Sequence, residues 1–300
     1  MKAQTIGTEI EFTGLTRQAA AETVAKFFGT TAIYTGGTYD AWAAKDGTGR
    51  DWKVMSDSSI RAEKKSGGEV QSASGQYRCE LVTPILGWAD IETLQEVVRK
   101  LRKAGAFVNE TCGQHVHIGA AGMTAAAIRN LVNNFASHEK LLIKAMNVHE
   151  SRETYCEPLS KNFLERLNKK KPAMLEELGR IWYNTSGEFP TNHYHESRYQ
   201  TLNLHALFTK GTIEFRLFNA TTHAGEVKTA IQLCCALVAN AKKATRTLYK
   251  PIETDNAKFA MRTWLTRPGN GLNLNGEEFA TLRLHLTKRL EGNAAWRHAV

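Results

Sequence analysis

Four short stretches of this chain place acidic, imidazole or guanidinium groups at every second position. The first is Gly7-Thr8-Glu9-Ile10-Glu11-Phe12. In an extended strand successive side chains point to opposite faces, so Ile10 and Phe12 share one side and Glu9 and Glu11 the other, about 6.6 Å apart along the strand. Two carboxylates at that spacing can serve two neighbouring hard cations or converge on one. Taken alone, the same pattern also describes a sheet with one solvated face. The second stretch, Arg78-Cys79-Glu80-Leu81-Val82-Thr83-Pro84, puts one carboxylate among apolar neighbours, where it needs a cation or an arginine. The third, Cys112-Gly113-Gln114-His115-Val116-His117-Ile118-Gly119, sends two imidazoles to one face and Val116 and Ile118 to the other. The fourth, Thr212-Ile213-Glu214-Phe215-Arg216-Leu217, alternates strictly, with Glu214 and Arg216 on the polar side. Arg198 and Asn203 lie just upstream. Oxygen-rich carboxylate sets with an occasional imidazole suit Mg²⁺ or Mn²⁺, and arginines stabilise charge on a transferring phosphoryl group. The pattern therefore points to metal-assisted work on phosphate. The chain has no Walker A loop, no kinase signature and no G-x-G-x-x-G after a strand.

The elements that must hold these groups follow from periodicity and punctuation. Residues 5–12 read as a strand, followed by a helix from the N-cap Thr16 to Phe28, with Gly29 as its stop. Residues 33–50 read as a loop or weak hairpin, 52–56 as a short strand, 63–75 as a mobile Gly/Ser/Lys loop and 76–86 as a strand. Ile91, Leu94, Val98 and Leu101 mark a helix ended by Gly105; 114–119 is a strand, and Thr124 caps the next helix. Ser160 and Pro172 open two shorter helices around Lys169-Lys170-Lys171. Residues 202–208 and 212–218 are expected to form a hairpin turning at Thr209-Lys210-Gly211. A long apolar helix covers about 223–248, and the tail from Asp255 reads as two helices around a Gly/Asn loop at 269–276. No internal repeat stands out. The class is α+β, a mostly antiparallel sheet covered by helices.

The set Gly7-x-Glu9-x-Glu11, Trp52-x-Val54 with Asp57-Ser58-Ser59, Glu80-x-x-x-Pro84, Cys112-Gly113-x-His115-x-His117, Arg198, Leu202-Asn203 and Thr212-Ile213-Glu214-Phe215-Arg216 resembles the putative amidoligase family. This family belongs to the carboxylate–amine ligases related to glutamine synthetase and glutamate–cysteine ligase. The resemblance spans about residues 7–241. It implies a glutamine-synthetase-like curved sheet whose concave face holds ATP and divalent cations, Mg²⁺ or Mn²⁺. It also implies a reaction in which a carboxylate takes the γ-phosphate of ATP and an amine then displaces phosphate to form an amide. On that resemblance Glu9, Glu11, Glu80, His115 and Glu214 are metal ligands. His117, Asn203, Arg198 and Arg216 lie on the ATP, with Arg216 stabilising the transferring phosphoryl group and Arg198 holding a phosphate or the acyl substrate. Asp57 binds a cation or the amine. Where the family often has Asp-Gly-Ser, this chain has Asp57-Ser58-Ser59. The catalytic domain is expected over 1–250, with 251–300 a helical extension packed on it.

The 300 residues are 42% hydrophobic and 23% charged, enough apolar material for one or two cores and too much for disorder. A net charge of +9 favours anionic partners without choosing among them. Five cysteines, an odd number with no C-x-x-C, speak for reduced thiols in a cytoplasmic protein rather than for a disulfide framework. The apolar run 230–241 is too short to span a bilayer, which needs about 20 residues. Three readings remain: an ATP-dependent amide ligase, a metal-dependent phosphohydrolase or nuclease on the same Glu/His face, and a basic nucleic-acid-binding protein. The acyl and amine substrates are expected to be a small molecule, a peptide or a modified nucleobase, with an anionic polymer as a further partner and no membrane. Loops 33–50, 63–75 and 183–197 are expected to set specificity, the last with an aromatic wall of Trp182, Tyr183, His193, Tyr194 and His195.

Overall fold

A computed structural model describes residues 1–152, 154–269 and 271–293. In chain order the elements are β1 (Ile6–Phe12), α1 (Arg17–Phe28), β2 (Ala32–Gly36), β3 (Ala41–Lys45), β4 (Asp51–Met55), β5 (Glu63–Ser66), β6 (Glu69–Ser72), β7 (Cys79–Val82), α2 (Ile91–Ala104), β8 (Gly113–Gly119) and α3 (Ala125–Met146). They continue with α4 (Lys161–Lys170), α5 (Leu175–Tyr183), β9 (Leu202–Asn203), α6 (His205–Lys210), β10 (Thr212–Asn219), α7 (Ala224–Lys243), α8 (Ala257–Thr266) and α9 (Ala280–Thr287). Among the described residues, eight strands form one antiparallel sheet in the order β2-β3-β4-β7-β1-β8-β10-β9, and β5 pairs with β6 apart from it. The class is α+β, and the sheet is open.

The alternation seen in the sequence decides which side of the sheet is core. Ile6, Ile10, Phe12, Val54, Trp52, Leu81, Val116, Ile118, Ile213, Phe215 and Leu217 are all buried on the helix side. There α1 packs on β2, β3 and β4, α7 on β8 and α3 on β10, with α2 wedged between α1 and α7. The helix ends follow local chemistry. Thr16, Thr124 and Ser160 accept hydrogen bonds from Ala19, Ala127 and Phe163 N–H, and Gly29 and Gly105 close α1 and α2 in the left-handed region. The tail adds to the same core: Met261, Trp264, Leu265, Leu282 and Leu286 are buried in it, and the Trp264 indole donates to Asn134 Oδ1 at 3.0 Å while stacking on His138. The expected Gly/Asn loop and the expected extension to residue 300 fall partly outside the described residues.

Three expectations change. The 202–208 strand is only two residues long, because the Asn203 side chain accepts the His205 N–H at 2.7 Å and turns the chain into α6, which Gly211 caps. The 63–75 stretch is not a simple loop but the β5–β6 hairpin, whereas 33–50 keeps its hairpin reading, with β2 paired to β3. Strand β7 is shorter than expected, since residues 75–77 form a 3₁₀ turn first. The lysine runs behave as helix ends: Lys169 and Lys170 close α4, and Lys242 and Lys243 close α7. Cations there complement the helix dipole. The five cysteines are free and buried, and no helix of the described residues is long and apolar enough to cross a membrane.

A long segment between α3 and β9 folds back over the polar face. It is held from below by Glu139 of α3, which accepts from Leu159 N–H at 3.1 Å and from the Thr201 hydroxyl. Glu139 is buried and no cation pairs with it among the described residues, so burial outweighs those two hydrogen bonds and raises its pKa from 4.5 to about 7. The native state therefore binds this proton more tightly than the unfolded chain. Stability from this group is highest below pH 4.5 and falls as pH rises towards 7, by on the order of 3 kcal/mol. Urea unfolding of wild type and Glu139→Gln between pH 4 and 8 should show that the variant lacks this decline.

Candidate functional site

Register brings the polar groups into rows. On β1, Glu9 lies between Val82 of β7 and His115 of β8, and Glu11 lies opposite Glu80. His117 faces Gly7 on one side and Glu214 on the other, and Glu214 faces Asn203. The register of β10 against β8 shifts between Phe215 and Phe218, so Arg216 sits in a bulge, the kind of irregularity that re-aims a side chain. All four strand patterns thus contribute to one patch. This patch is not a solvated face: Glu11, His115, Glu214 and Arg216 are each under 5% exposed, because the segment between α3 and β9 and the helix α6 cover it.

Hydrogen bonds set the protonation pattern. The His115 Nδ1–H donates to Glu9 Oε2 at 2.9 Å, while His115 Nε2 lies 4.0 Å from Glu11 Oε1. Burial and the Arg216 charge push His115 down to about 4, so near neutrality the imidazole is uncharged and Nε2 presents a lone pair to a carboxylate. His117 Nδ1 is bonded to the Thr212 hydroxyl at 3.0 Å. Its Nε2 is buried without a hydrogen-bond partner, 3.4 Å from Glu9 Oε1 and 3.8 Å from Glu214 Oε1. Burial disfavours a charged His117, but the Glu214 and Glu9 carboxylates outweigh it and raise its pKa. Burial also opposes ionisation of Glu9, yet the hydrogen bond from His115 and the His117 imidazole close by hold it well below the usual carboxylate range. Glu214 is held down to about 2 against the same burial by His117 and by Arg216, which donates to Glu214 Oε1 at 2.6 Å. The other Glu214 oxygen accepts from the Asn203 amide at 2.6 Å.

The remaining carboxylates are crowded. Burial and the Asp57 charge raise Glu11 to about 7, although the Gly113 N–H donates to it at 2.6 Å. Burial and the charges of Glu9 and Glu11 push Glu80 well above the usual range. Three groupings bring ligand atoms within 4.8 Å of one another: Glu9 with His117 and Glu214, Glu9 with Glu80 and His115, and Glu11 with Asp57 and Glu80. Carboxylates that must hold protons when no cation is near, beside a buried imidazole nitrogen without a hydrogen-bond partner, are a donor set that fits a hard divalent cation.

At the pocket end a recess of about 190 Å³ is lined by Glu11, Asp57, Arg152, Arg198, Arg216 and three tyrosines, Tyr155, Tyr194 and Tyr199. Asp57 forms an Asx turn, its Oδ1 accepting from Ser59 N–H and Oγ at 2.7 Å each. Ser58 is not in the left-handed region, so serine in place of the family's glycine costs no backbone strain. Arg198 reaches the recess between the rings of Tyr194 and Tyr199, 5.4 and 5.7 Å from their centroids. The expected aromatic wall divides. Tyr194 is 62% exposed and its hydroxyl meets that of Tyr39 at 2.8 Å, joining the β2–β3 turn to the opposite loop. Trp182 packs instead on Phe163, and Tyr183 on Phe189, Phe208 and His205, inside the covering segment. Lys210, at the end of α6, comes within 3.9 Å of Glu9 Oε1.

Sequence reasoning missed Arg152 and Lys210. A signal for the first was present: His149-Glu150-Ser151-Arg152 recurs as His195-Glu196-Ser197-Arg198, a tetrapeptide too short to stand out as a repeat. Lys210 was read as part of a hairpin turn, and only α6 brings it to Glu9.

The chain thus combines an open antiparallel sheet backed by helices with a buried Glu/His/Arg face. The sequence profile of the putative amidoligase enzyme family matches residues 2–238, and the chain belongs to that family. It is therefore an enzyme of ligase type. A search of curated proteins returned no match.

The two faces of β1 are expected to respond differently to substitution. Glu9→Gln keeps the fold, since its side chain lies on the site side. Ile10→Asp, at a position 3% exposed and packed against helices, puts a charge into the core and unfolds the protein. Far-UV circular dichroism and thermal melts of the two variants check this; a folded Ile10→Asp protein would contradict the assignment of faces.

Proposed function

We propose that the protein is an ATP-dependent carboxylate–amine ligase that works through an acyl phosphate, with divalent metal on the Glu/His face of a glutamine-synthetase-like sheet. The observation that carries this reading is His117 Nε2, a buried imidazole nitrogen without a hydrogen-bond partner set between Glu9 and Glu214, within a family of amidoligases. Glu9, His117 and Glu214 would hold one Mg²⁺ or Mn²⁺, Glu9, Glu80 and His115 a second position, and Glu11, Asp57 and Glu80 a third. Bound metal would neutralise the polyphosphate of ATP and polarise its γ-phosphate.

The protein's own groups supply the rest. Arg216, oriented by its bond to Glu214 and by the Thr201 carbonyl accepting its backbone N–H at 2.8 Å, points its fork at the transferring phosphoryl group. Asn203 fixes Glu214 from behind, and Lys210 adds positive charge beside Glu9. Arg198 and Asp57 hold the acyl and amine substrates at the recess. The covering segment and α6 keep water from an acyl phosphate. The catalytic unit is taken as residues 1–250, with the rest a helical extension upon it.

Nucleotide binding is expected to require Mg²⁺ or Mn²⁺, since the carboxylates repel bare phosphates. Calorimetry with and without chelator checks this; equal ATP affinity in both would remove the metals. Glu9→Gln and Glu11→Gln are each expected to abolish amide formation in folded protein. Arg216→Lys should lower kcat by roughly a hundredfold or more with a smaller change in KM for ATP, as Lys keeps the charge but not the planar fork. The assay is mass spectrometry of ATP, Mg²⁺ and surveyed acids and amines, looking for products one water lighter than the sum. Phosphate release that needs no amine would favour a phosphohydrolase instead.

A further inference from the structure

The two copies of His-Glu-Ser-Arg fold alike. In each, the histidine Nδ1 accepts the serine N–H at 3.2 Å and pairs with the serine Oγ at 2.9 Å, and a 3₁₀ turn delivers the arginine to the same recess. The first turn is anchored at both ends. Ser151 Oγ donates to Glu110 O at 3.0 Å, and His149 N–H donates to Asn219 Oδ1 at 3.1 Å.

Arg152 is only 3% exposed, yet no carboxylate lies in ion-pair contact with it among the described residues. Its Nη2 donates to the Arg216 carbonyl at 3.0 Å, and its Nε has no partner. The room for it is made by Gly113: a Cβ there would stand 2.1 Å from Arg152 Nη1. A guanidinium taken out of water with no carboxylate in contact, and only the Glu11 charge acting on it from further away, is costly, and the missing side chain at Gly113 is what leaves room for it. Across the recess, Asp57 Oδ1 is used by Ser59, while Oδ2 accepts no hydrogen bond among the described residues. One wall thus offers two fixed guanidinium groups, Arg152 and Arg198, and the other an open carboxylate oxygen.

We propose that this recess recognises a main-chain carboxylate, that of a free amino acid or of a peptide C-terminus. Arg152 and Arg198 hold the carboxylate, and Asp57 Oδ2 accepts from the neighbouring nitrogen, an ammonium in the free amino acid and an amide N–H in the peptide. A volume of about 190 Å³ admits one residue of this kind. The inference names a substrate class for the ligase and rests on that reading.

The test uses the full chain without nucleotide. Thermal shift and calorimetry are run with the standard amino acids, a set of dipeptides, the C-terminal amide of each compound that binds, and inorganic phosphate. Wild-type protein is titrated with Mg–ATP in parallel. The expected result is that at least one main-chain carboxylate binds and that its amide binds about tenfold more weakly or worse. Arg152→Gln then loses the preference for acid over amide. Should Arg152→Gln fail to fold, Asp57→Asn, on a half-buried turn, is expected to weaken the free amino acid more than the peptide. Binding of dipeptides but not amino acids assigns the chain end, and the reverse assigns the free species. The proposal is overturned if no acid binds, if acid and amide bind alike to wild type, or if inorganic phosphate is the sole occupant. Mg–ATP binding with an empty recess sinks this inference alone. Amino-acid binding without Mg–ATP binding sinks the ligase reading and leaves the recess standing.

Discussion

Everything at the site depends on how Glu9 is kept ionised in a place where carboxylates are hard to ionise. It sits on the central strand, flanked by the imidazoles of His115 and His117, and the His115 hydrogen bond together with the charge of His117 outweighs its loss of hydration. Once Glu9 carries its charge, Glu80 is driven the other way by burial and by the charges of Glu9 and Glu11, and Glu11 itself is raised by burial and by Asp57. The outcome is a patch with more acceptors than protons. Such a patch is stable only on a rigid support, and the helix-backed side of the same strands provides it: Ile10, Val116, Phe215 and Leu81 are packed with 3% exposure or less.

The covering segment changes the nature of that face. Were it open to water, Glu214–Arg216 would be an exposed ion pair contributing about 0–1 kcal/mol. Buried under 5% exposure, the pair instead holds two charges in fixed geometry, where removal of either leaves the other stranded. Glu139 ties the segment to α3 from the core side, and the Tyr39–Tyr194 contact ties it to the β2–β3 turn from the outer side. The site is therefore a groove roofed at both edges, with the Glu/His groups at the floor and the arginines at the pocket end.

The chemistry-bearing strands were legible because period-two alternation is a local property. Ile10 against Glu9 and Glu11, Val116 against His115 and His117, and Phe215 against Glu214 and Arg216 each declare two faces without reference to any other part of the chain. Caps are equally local, so Thr16, Thr124, Ser160, Gly29 and Gly105 marked their helix ends. The α+β class followed from the order of such elements, and the family from their motifs taken together.

What tertiary structure decided was everything that depends on long-range pairing or on competition between a side chain and the backbone ladder. The stretch after Asn203 alternates like a strand, but the Asn203 side chain captures the His205 amide and starts α6, which is what carries Lys210 to Glu9. The burial of the polar face was not readable from alternation, which distinguishes two sides of a strand without saying what covers either. Nor was Arg152. Its place opposite Asp57 arises because a glycine 39 positions earlier leaves space for its guanidinium, a contact between residues remote in sequence that no local period records. Sequence alone thus determined the strands, the faces and the residue types; folding determined which of those residues share a dry enclosure, because desolvation and counter-charge are properties of the assembled surroundings.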